Sequence, residues 1–417
     1  MSPLASKPLP NQQDTLLRQR AAKVVPGGMT GHMNAALLPS GYPQFFQRGL
    51  GCHVWDVDGN EFIDFMCSWG PNLLGHHHPA VDAAARRQQD LGDCLNGPTP
   101  RLVELAERFV ARSAHADWVL FQKNGTDATT VCLMIARAAT ARRKVLVATK
   151  AYHGADPWCT PVAAGVTAED RAHLIQYRYN DVASLDAAAQ QAGDDLAAIV
   201  CAAYKHDLGV DQELPTREFA QRARALCDKA RAALILDEVR AGYRVHAGGT
   251  WETVGVRPDL SAWSKAIANG YALAAVTGID ALREAATRIY STGSFWCGGV
   301  AMAAALATLE VAQASDLVAH LQRVGQRFRE GIAAQAASHG VAVRQTGPAA
   351  LPLILFDDDA AFDKGAVFTA EALRRGVYLH PKHNMFFSLA HTDHDVDQAL
   401  QATDAALELV AQRFGRH

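Results

Sequence analysis

At 417 residues the chain is too long for one simple core, and a large domain accompanied by a smaller one is expected. Forty Lys and Arg against 43 Asp and Glu leave a formal charge of −3, so neither nucleic acid nor an anionic membrane surface is implied as a partner, and binding energy must come from a shaped site. No run approaches the roughly eighteen apolar residues of a membrane span, the polar start Met1–Pro10 lacks a secretory apolar stretch, and the eight cysteines show no CxxC pair, so a cytoplasmic protein with reduced thiols is expected.

In chain order, residues 12–24 have helical spacing and end at the turn Val25-Pro26-Gly27-Gly28. From Tyr42 to Phe65 apolar and polar residues alternate around Asp58-Gly59-Asn60, which predicts a hairpin in an N-terminal lobe. From about 98 to 310 helical stretches alternate with short apolar strands: Trp118–Phe121, Lys144–Ala148, Leu196–Cys201, Ala233–Leu236 and Leu273–Thr277. That pattern predicts an α/β fold, a mostly parallel sheet flanked by helices on both faces. A long helix over about 299–335, a strand-rich stretch Val341–His394 and an amphipathic helix over about 393–413 complete the chain. Residues 76–310 are thus read as the large domain, with 1–75 and 311–417 as the two parts of a small α+β domain.

The chemistry concentrates at strand ends. Ala233-Leu-Ile-Leu-Asp237 delivers a carboxylate, and Asp259-Leu-Ser-Ala-Trp-Ser-Lys265 delivers a lysine into a turn of small residues. Ligands on such sheets lie at the carboxyl ends of the strands. A lysine that can form a Schiff base and an aspartate that can hold a pyridine nitrogen protonated suggest pyridoxal 5′-phosphate (PLP), although the same two residues can make a buried structural ion pair. Asn124-Gly125-Thr126 opens a helix after Trp118–Phe121, offering free N–H groups to a phosphate, or simply a cap. Tyr152, before His153 and Gly154, can stack on a flat cofactor or lie half-buried at the surface.

Asn124-Gly-Thr-Asp-Ala128, Tyr152-His-Gly154, Asp237-Glu-Val239 and Ser264-Lys265, in that order, resemble the class III PLP-dependent aminotransferases, in the branch related to glutamate-1-semialdehyde aminomutase. The resemblance runs from Pro26-Gly-Gly28 through Leu74-Gly-His-His-His-Pro79 to Phe387-Ser-Leu-Ala-His-Thr392. Within the branch, Asp237-Glu-Val-Arg-Ala-Gly242 and His380-Pro-Lys-His-Asn-Met-Phe386 look most like the fumonisin-type amine:pyruvate transaminases. It implies PLP fold type I and a homodimer with an active site shared across the interface. It further implies Lys265 and Asp237 as catalytic residues, with Gly125, Thr126, Tyr152, Val239 and, from the partner subunit, Ser294 as further cofactor contacts, and Thr292 as the second choice for that hydroxyl.

The chain departs from the family at three places. Cys201-Ala202 stands where a Glu-Pro is usual, Asn34 stands near the position of a substrate-binding arginine, and Ser294-Phe-Trp-Cys-Gly-Gly299 replaces a Gly-Asn-Pro pattern. Without that arginine an α-amino acid loses a bidentate anchor. The expected reaction is therefore transfer from a primary amine, long or bulky in the fumonisin manner, to a small keto acid such as pyruvate, the alternative being an aminomutase or racemase on the same fold. His32, Trp69, Arg240 and His383 are the candidate substrate residues. Arg240 can hold the keto-acid carboxylate or make a salt bridge in its own loop. Metal binding by His76-His77-His78 or by His380 and His383 is not expected, because no Cys, Asp or Glu is placed to complete a site.

Overall fold

The computed structural model describes residues 9–415; most of the polar start Met1–Pro10 and the last two residues lie outside the described residues. The predicted hairpin forms from β2 (His53–Asp56) and β3 (Glu61–Asp64), antiparallel, with β1 (Phe46–Leu50) beside β2. Asp56 Oδ1 accepts the amides of Asp58 and Asn60, which closes the turn that Asp58-Gly59 announced.

The large sheet holds seven strands: β4 (Trp118–Gln122), β5 (Lys144–Ala148), β6 (Leu174–Tyr177), β7 (Leu196–Ala202), β8 (Ala233–Asp237), β9 (Leu260–Trp263) and β10 (Ala274–Gly278). Their order is β4-β10-β9-β8-β7-β5-β6. Only β10 runs against its neighbours, so the sheet is mostly parallel and its central strands are covered on both faces. That burial explains the unbroken apolar run of β7, every residue of which is buried. The parallel register sets Asp237 against Ala262, so Lys265 falls just beyond the end of the neighbouring strand.

Further on come β11 (Val343–Thr346), β12 (Leu353–Phe356) and β13 (Val377–Tyr378). β13 pairs in parallel with β3, so residues from both ends of the chain share one sheet. Two expectations fail here. The helix predicted over 299–335 is two helices, Gly299–Ala314 and Leu317–His339, bent by 69° at Ser315 and Asp316, the latter at φ 46°. The first is an Ala-rich helix, mostly buried, whereas the second has the polar and apolar faces of a helix lying on the surface. The stretch 341–394 is not strand-rich: it contains the helix Asp363–Arg374, and the apolar run Met385-Phe386-Phe387 is a buried loop rather than a strand.

Candidate active site

Three segments meet at the carboxyl ends of β8 and β9. Asp237, the last residue of β8, is 6 % exposed; its Oδ1 accepts the amide of Val239 at 3.0 Å. Its Oδ2 accepts the Nδ1–H of His153 at 2.7 Å, and the buried His153 ring lies parallel to Trp158. Thr129, on the helix Gly125–Thr140, donates its hydroxyl to the carbonyl of His153 at 2.7 Å, so that helix also sets the imidazole. His153 was read from the sequence only as the neighbour of Tyr152, and nothing local in the sequence announces its pairing with a residue 84 positions away.

Lys265 follows β9 with a left-handed backbone, φ 49°, and its Nζ donates to the carbonyl oxygen of Trp69 at 2.8 Å. Burial, reinforced by the charges of Arg240 and Arg244, pushes the Lys265 ammonium down to about 7, against the opposing pull of Asp237. The acceptor of its hydrogen bond sits on strained backbone: Cys67, Ser68 and Trp69 have φ of 46°, 56° and 65°, and Gly70 follows at 105°. Asp64 Oδ1 holds this turn by accepting the amides of Met66 and Cys67. Asn269, just past Lys265, braces the other side, accepting the amide of Leu74 and donating to the carbonyl of Gly75.

A turn with the geometry of a phosphate cradle follows β4, which the antiparallel β10 separates from β9. Asn124 caps the helix Gly125–Thr140 through a capping box with Asp127. The cap takes the amide of Asp127 and leaves those of Gly125 and Thr126 free at the positive end of a 16-residue helix. The cap is formed, and it belongs to the same turn as the two free amides. Glycine is required at 125 because a Cβ would lie 2.8 Å from Val239 Cγ1, and at 154 because one would meet Thr126 Oγ1 at 2.6 Å with φ at 137°. A phosphorylated aldehyde fits this constellation: free amides for its phosphate, a buried carboxylate for a ring nitrogen, and a lysine whose ammonium burial makes easier to deprotonate.

The remaining candidates divide. Arg240, half-buried, donates from Nη1 to Asn384 Oδ1 at 2.6 Å and has no ion-pair partner among the described residues. The salt bridge considered for it within its own loop is not formed. Tyr152 is 40 % exposed and within electrostatic reach of Asp237 and Arg240. His32 and His383 both pack edge-on against Trp69. Ser294 and Thr292 are exposed, and neither makes a hydrogen bond to Lys265 or to the cradle. Asn34 is spent locally, donating to the carbonyl of Met29 and accepting the amide of Ala36. Met385 and Phe386 belong to the core. His76 and His77 pair separately with Asp64 and Asp82, so those imidazoles have carboxylate partners that the sequence did not reveal.

The family model for aminotransferase class III matches residues 39–407. The chain belongs to the class III aminotransferases. It is 47 % identical over 398 residues to the aminopentol aminotransferase of Sphingopyxis macrogoltabida, covering 95 % of this chain and 94 % of that one. The glutamate-1-semialdehyde 2,1-aminomutase of Anaeromyxobacter sp. is 31 % identical over 420 residues, 94 % of this chain and 97 % of the relative. Among solved structures, the FumI protein of Sphingopyxis sp. MTA144 in its PLP internal aldimine form superposes with a TM-score of 0.95 at 46 % identity, covering 96 % of this chain and 97 % of that one. As a class III aminotransferase the protein is a PLP enzyme of fold type I, as the order of its motifs implied.

Proposed function

We propose that this aminotransferase takes the amino group of a primary amine with a hydrophobic or extended body and passes it to a small keto acid such as pyruvate. The observation that carries this reading is Arg240: a half-buried guanidinium in electrostatic reach of Lys265, bonded among the described residues only to a neutral amide. Its unused donors suit one carboxylate, that of the acceptor. Asn34 supplies no second cation, so any donor carboxylate that Arg240 does not reach would be buried unpaired at a cost of several kcal/mol, and donors without one are expected to serve best. The name of the aminopentol aminotransferase, which gives that relative an amine as its substrate, supports this choice.

When bound, PLP supplies an aldehyde for the amine and a ring that takes up the electron pair left when the substrate carbon loses its proton. Gly125 and Thr126 would hold its phosphate at the helix N-terminus, and Asp237, oriented by His153, would pair with its ring nitrogen. Val239 and Tyr152 would pack against its ring. Lys265 would hold the cofactor covalently and, with its ammonium pushed down to about 7, would serve as the base that takes the proton from the substrate carbon. The working unit would be a homodimer in which Ser294 serves the phosphate held by the other protomer. Leu91, Leu95, Tyr290 and Phe295 are all exposed, and Asp93, between the first two, accepts the amide of Val300; a second copy would cover such a patch. Free cysteines throughout favour a cytoplasmic setting, and no single helix is long and apolar enough to cross a membrane among the described residues.

A screen of amine donors with pyruvate, read out as alanine, tests the reading. Amines without a carboxylate should give alanine; glutamate as the best donor, or isomerisation with no external keto acid, would overturn it.

A further inference from the structure

Cys52, His53 and Asp395 form a cluster that the transfer of the amino group does not use. The Cys52 thiol, an imidazole nitrogen of His53 and a carboxylate oxygen of Asp395 all lie within 4.8 Å of one another. His53 Nε2 is 3.1 Å from Asp395 Oδ1. That is close to the spacing of two ligands on one tetrahedral zinc, roughly 3.2–3.8 Å for bonds of about 2.0–2.3 Å. Consecutive side chains of a regular strand face opposite ways. Cys52 instead occupies the turn ahead of β2, after Gly51 at φ 59°, and its thiol reaches the same carboxylate as His53.

The groups around the cluster suit a cation. Asp395 Oδ2 accepts the amide of Thr392 at 2.8 Å and the hydroxyl of the same residue at 2.6 Å, which fixes the carboxylate and leaves Oδ1 toward His53. At the other imidazole nitrogen, Nδ1 lies 3.0 Å from Glu61 Oε1. A neutral imidazole has one N–H to set against these two carboxylates. With a cation on Nε2 the proton stands on Nδ1, toward Glu61, and Asp395 gives its oxygen to the same ion; a carboxylate behind a ligating histidine is the usual outer partner of such sites. Cys52 and Asp395 are 4 % and 7 % exposed, and as thiolate and carboxylate they offset the two charges of a divalent ion.

We propose that Cys52, His53 and Asp395 bind one zinc ion, with water in the fourth position. A thiolate beside an imidazole selects zinc over magnesium or calcium, which take oxygen ligands. The thiol proton leaves to solvent as the sulfur–metal bond forms. His53, 27 % exposed at its side chain, gives the ion its way in and the water its place. The ligands come from the turn before β2 and from the helix Asp393–Phe414, with 342 positions between His53 and Asp395. An unfolded chain does not hold them together, so the ion stabilises the folded protein by binding it alone. The site is independent of the donor reading above.

The test incubates the holoenzyme with zinc, dialyses it against metal-free buffer and measures the metal by inductively coupled plasma mass spectrometry. Wild type should keep about one zinc per chain. Cys52→Ala should lose it, and Cys94→Ala, which removes an exposed thiol, should keep it. No zinc retained by wild type means a hydrogen-bonded trio and overturns the proposal, as does equal retention in Cys52→Ala or loss from Cys94→Ala. A chelator should lower the melting temperature of zinc-loaded wild type and leave that of Cys52→Ala in place; equal shifts in both count against the site. X-ray absorption at the zinc edge of wild-type holoenzyme gives a readout that does not depend on how the variants fold. It should show one sulfur at about 2.3 Å beside nitrogen and oxygen at about 2.0–2.2 Å, and a shell without sulfur overturns the assignment.

Discussion

His153 Nδ1 and Asp237 Oδ2 lie 2.7 Å apart with both side chains nearly excluded from solvent. An imidazole in this position fixes one carboxylate oxygen and leaves the face of Asp237 toward the site to a ring nitrogen. Asp237→Asn should retain some cofactor but lose about a hundredfold or more in kcat, because a neutral amide cannot stabilise a protonated ring. His153→Phe should lower kcat by roughly tenfold by loosening the carboxylate, an indirect effect smaller than loss of the charge. Steady-state kinetics with the cofactor content measured alongside separates the two, and an unchanged rate in Asp237→Asn would mean a structural role for that residue.

In the proposed mechanism Lys265→Ala removes both the covalent anchor and the base. Turnover should fall by at least about a thousandfold while the circular dichroism spectrum and melting behaviour stay close to wild type. Substantial residual activity would contradict the role given to Lys265.

The depressed Lys265 also has a stability signature in the cofactor-free protein. Its usual value of 10.5 falls to about 7 on folding, chiefly through burial. Between those values the unfolded chain binds a proton that the folded chain does not. Stability from this group therefore rises with pH across that window, and it is lost as pH falls through about 7. The slope from one group is at most about 1.4 kcal/mol per pH unit. Urea midpoints of apoenzyme from pH 7 to 10 should climb more steeply in wild type than in Lys265→Met, and parallel curves would show that Lys265 is not depressed.

Ser294 is exposed and lies in the same run as the exposed Tyr290 and Phe295. If its hydroxyl serves the partner's phosphate, Ser294→Ala should shed PLP several times faster on dilution or dialysis, with the dimer itself preserved. A monomer that holds PLP fully in solution would remove the basis for this expectation.

What could be read in advance follows from how local the signal is. Asp237 and Lys265 were legible because each terminates a short apolar run, and a strand end on a parallel sheet is where ligands bind. The Asn124-Gly125-Thr126 turn was legible because a cap and a glycine leave a local mark. The anchoring of Lys265 by the carbonyl of Trp69 was not, since it depends on left-handed backbone at Cys67, Ser68 and Trp69, residue types that give no hint of it. The hydrogen bonds of His380 Nδ1 and His383 Nδ1 run to backbone groups one to three residues away whose directions only the folded loop defines. The break at Asp316 was hidden for a related reason: neither Pro nor Gly marks it, and the bend comes from packing a buried helix against a surface one.

The proposed acceptor site turns on Arg240. It stands at the mouth of β8, three residues past Asp237, and donates one hydrogen bond to Asn384. A guanidinium has five N–H donors, and no carboxylate lies within ion-pair distance of this one among the described residues. Burial lowers its pKa, opposed by Tyr204, Asp237, Tyr152 and Asp207, but a guanidinium starts so high that it stays charged. A charge kept half-buried with so little compensation gains most when an anion arrives, and the keto acid brings one in its half of the reaction. Arg240→Ala should therefore raise KM for pyruvate by about tenfold or more while changing KM for the amine far less. Arg240→Lys should recover only part of the loss, because an ammonium keeps the charge but cannot grip a carboxylate bidentately. Initial rates with each substrate varied in turn give both constants, and equal changes in the two, or no change for pyruvate, would move the acceptor site elsewhere in the pocket.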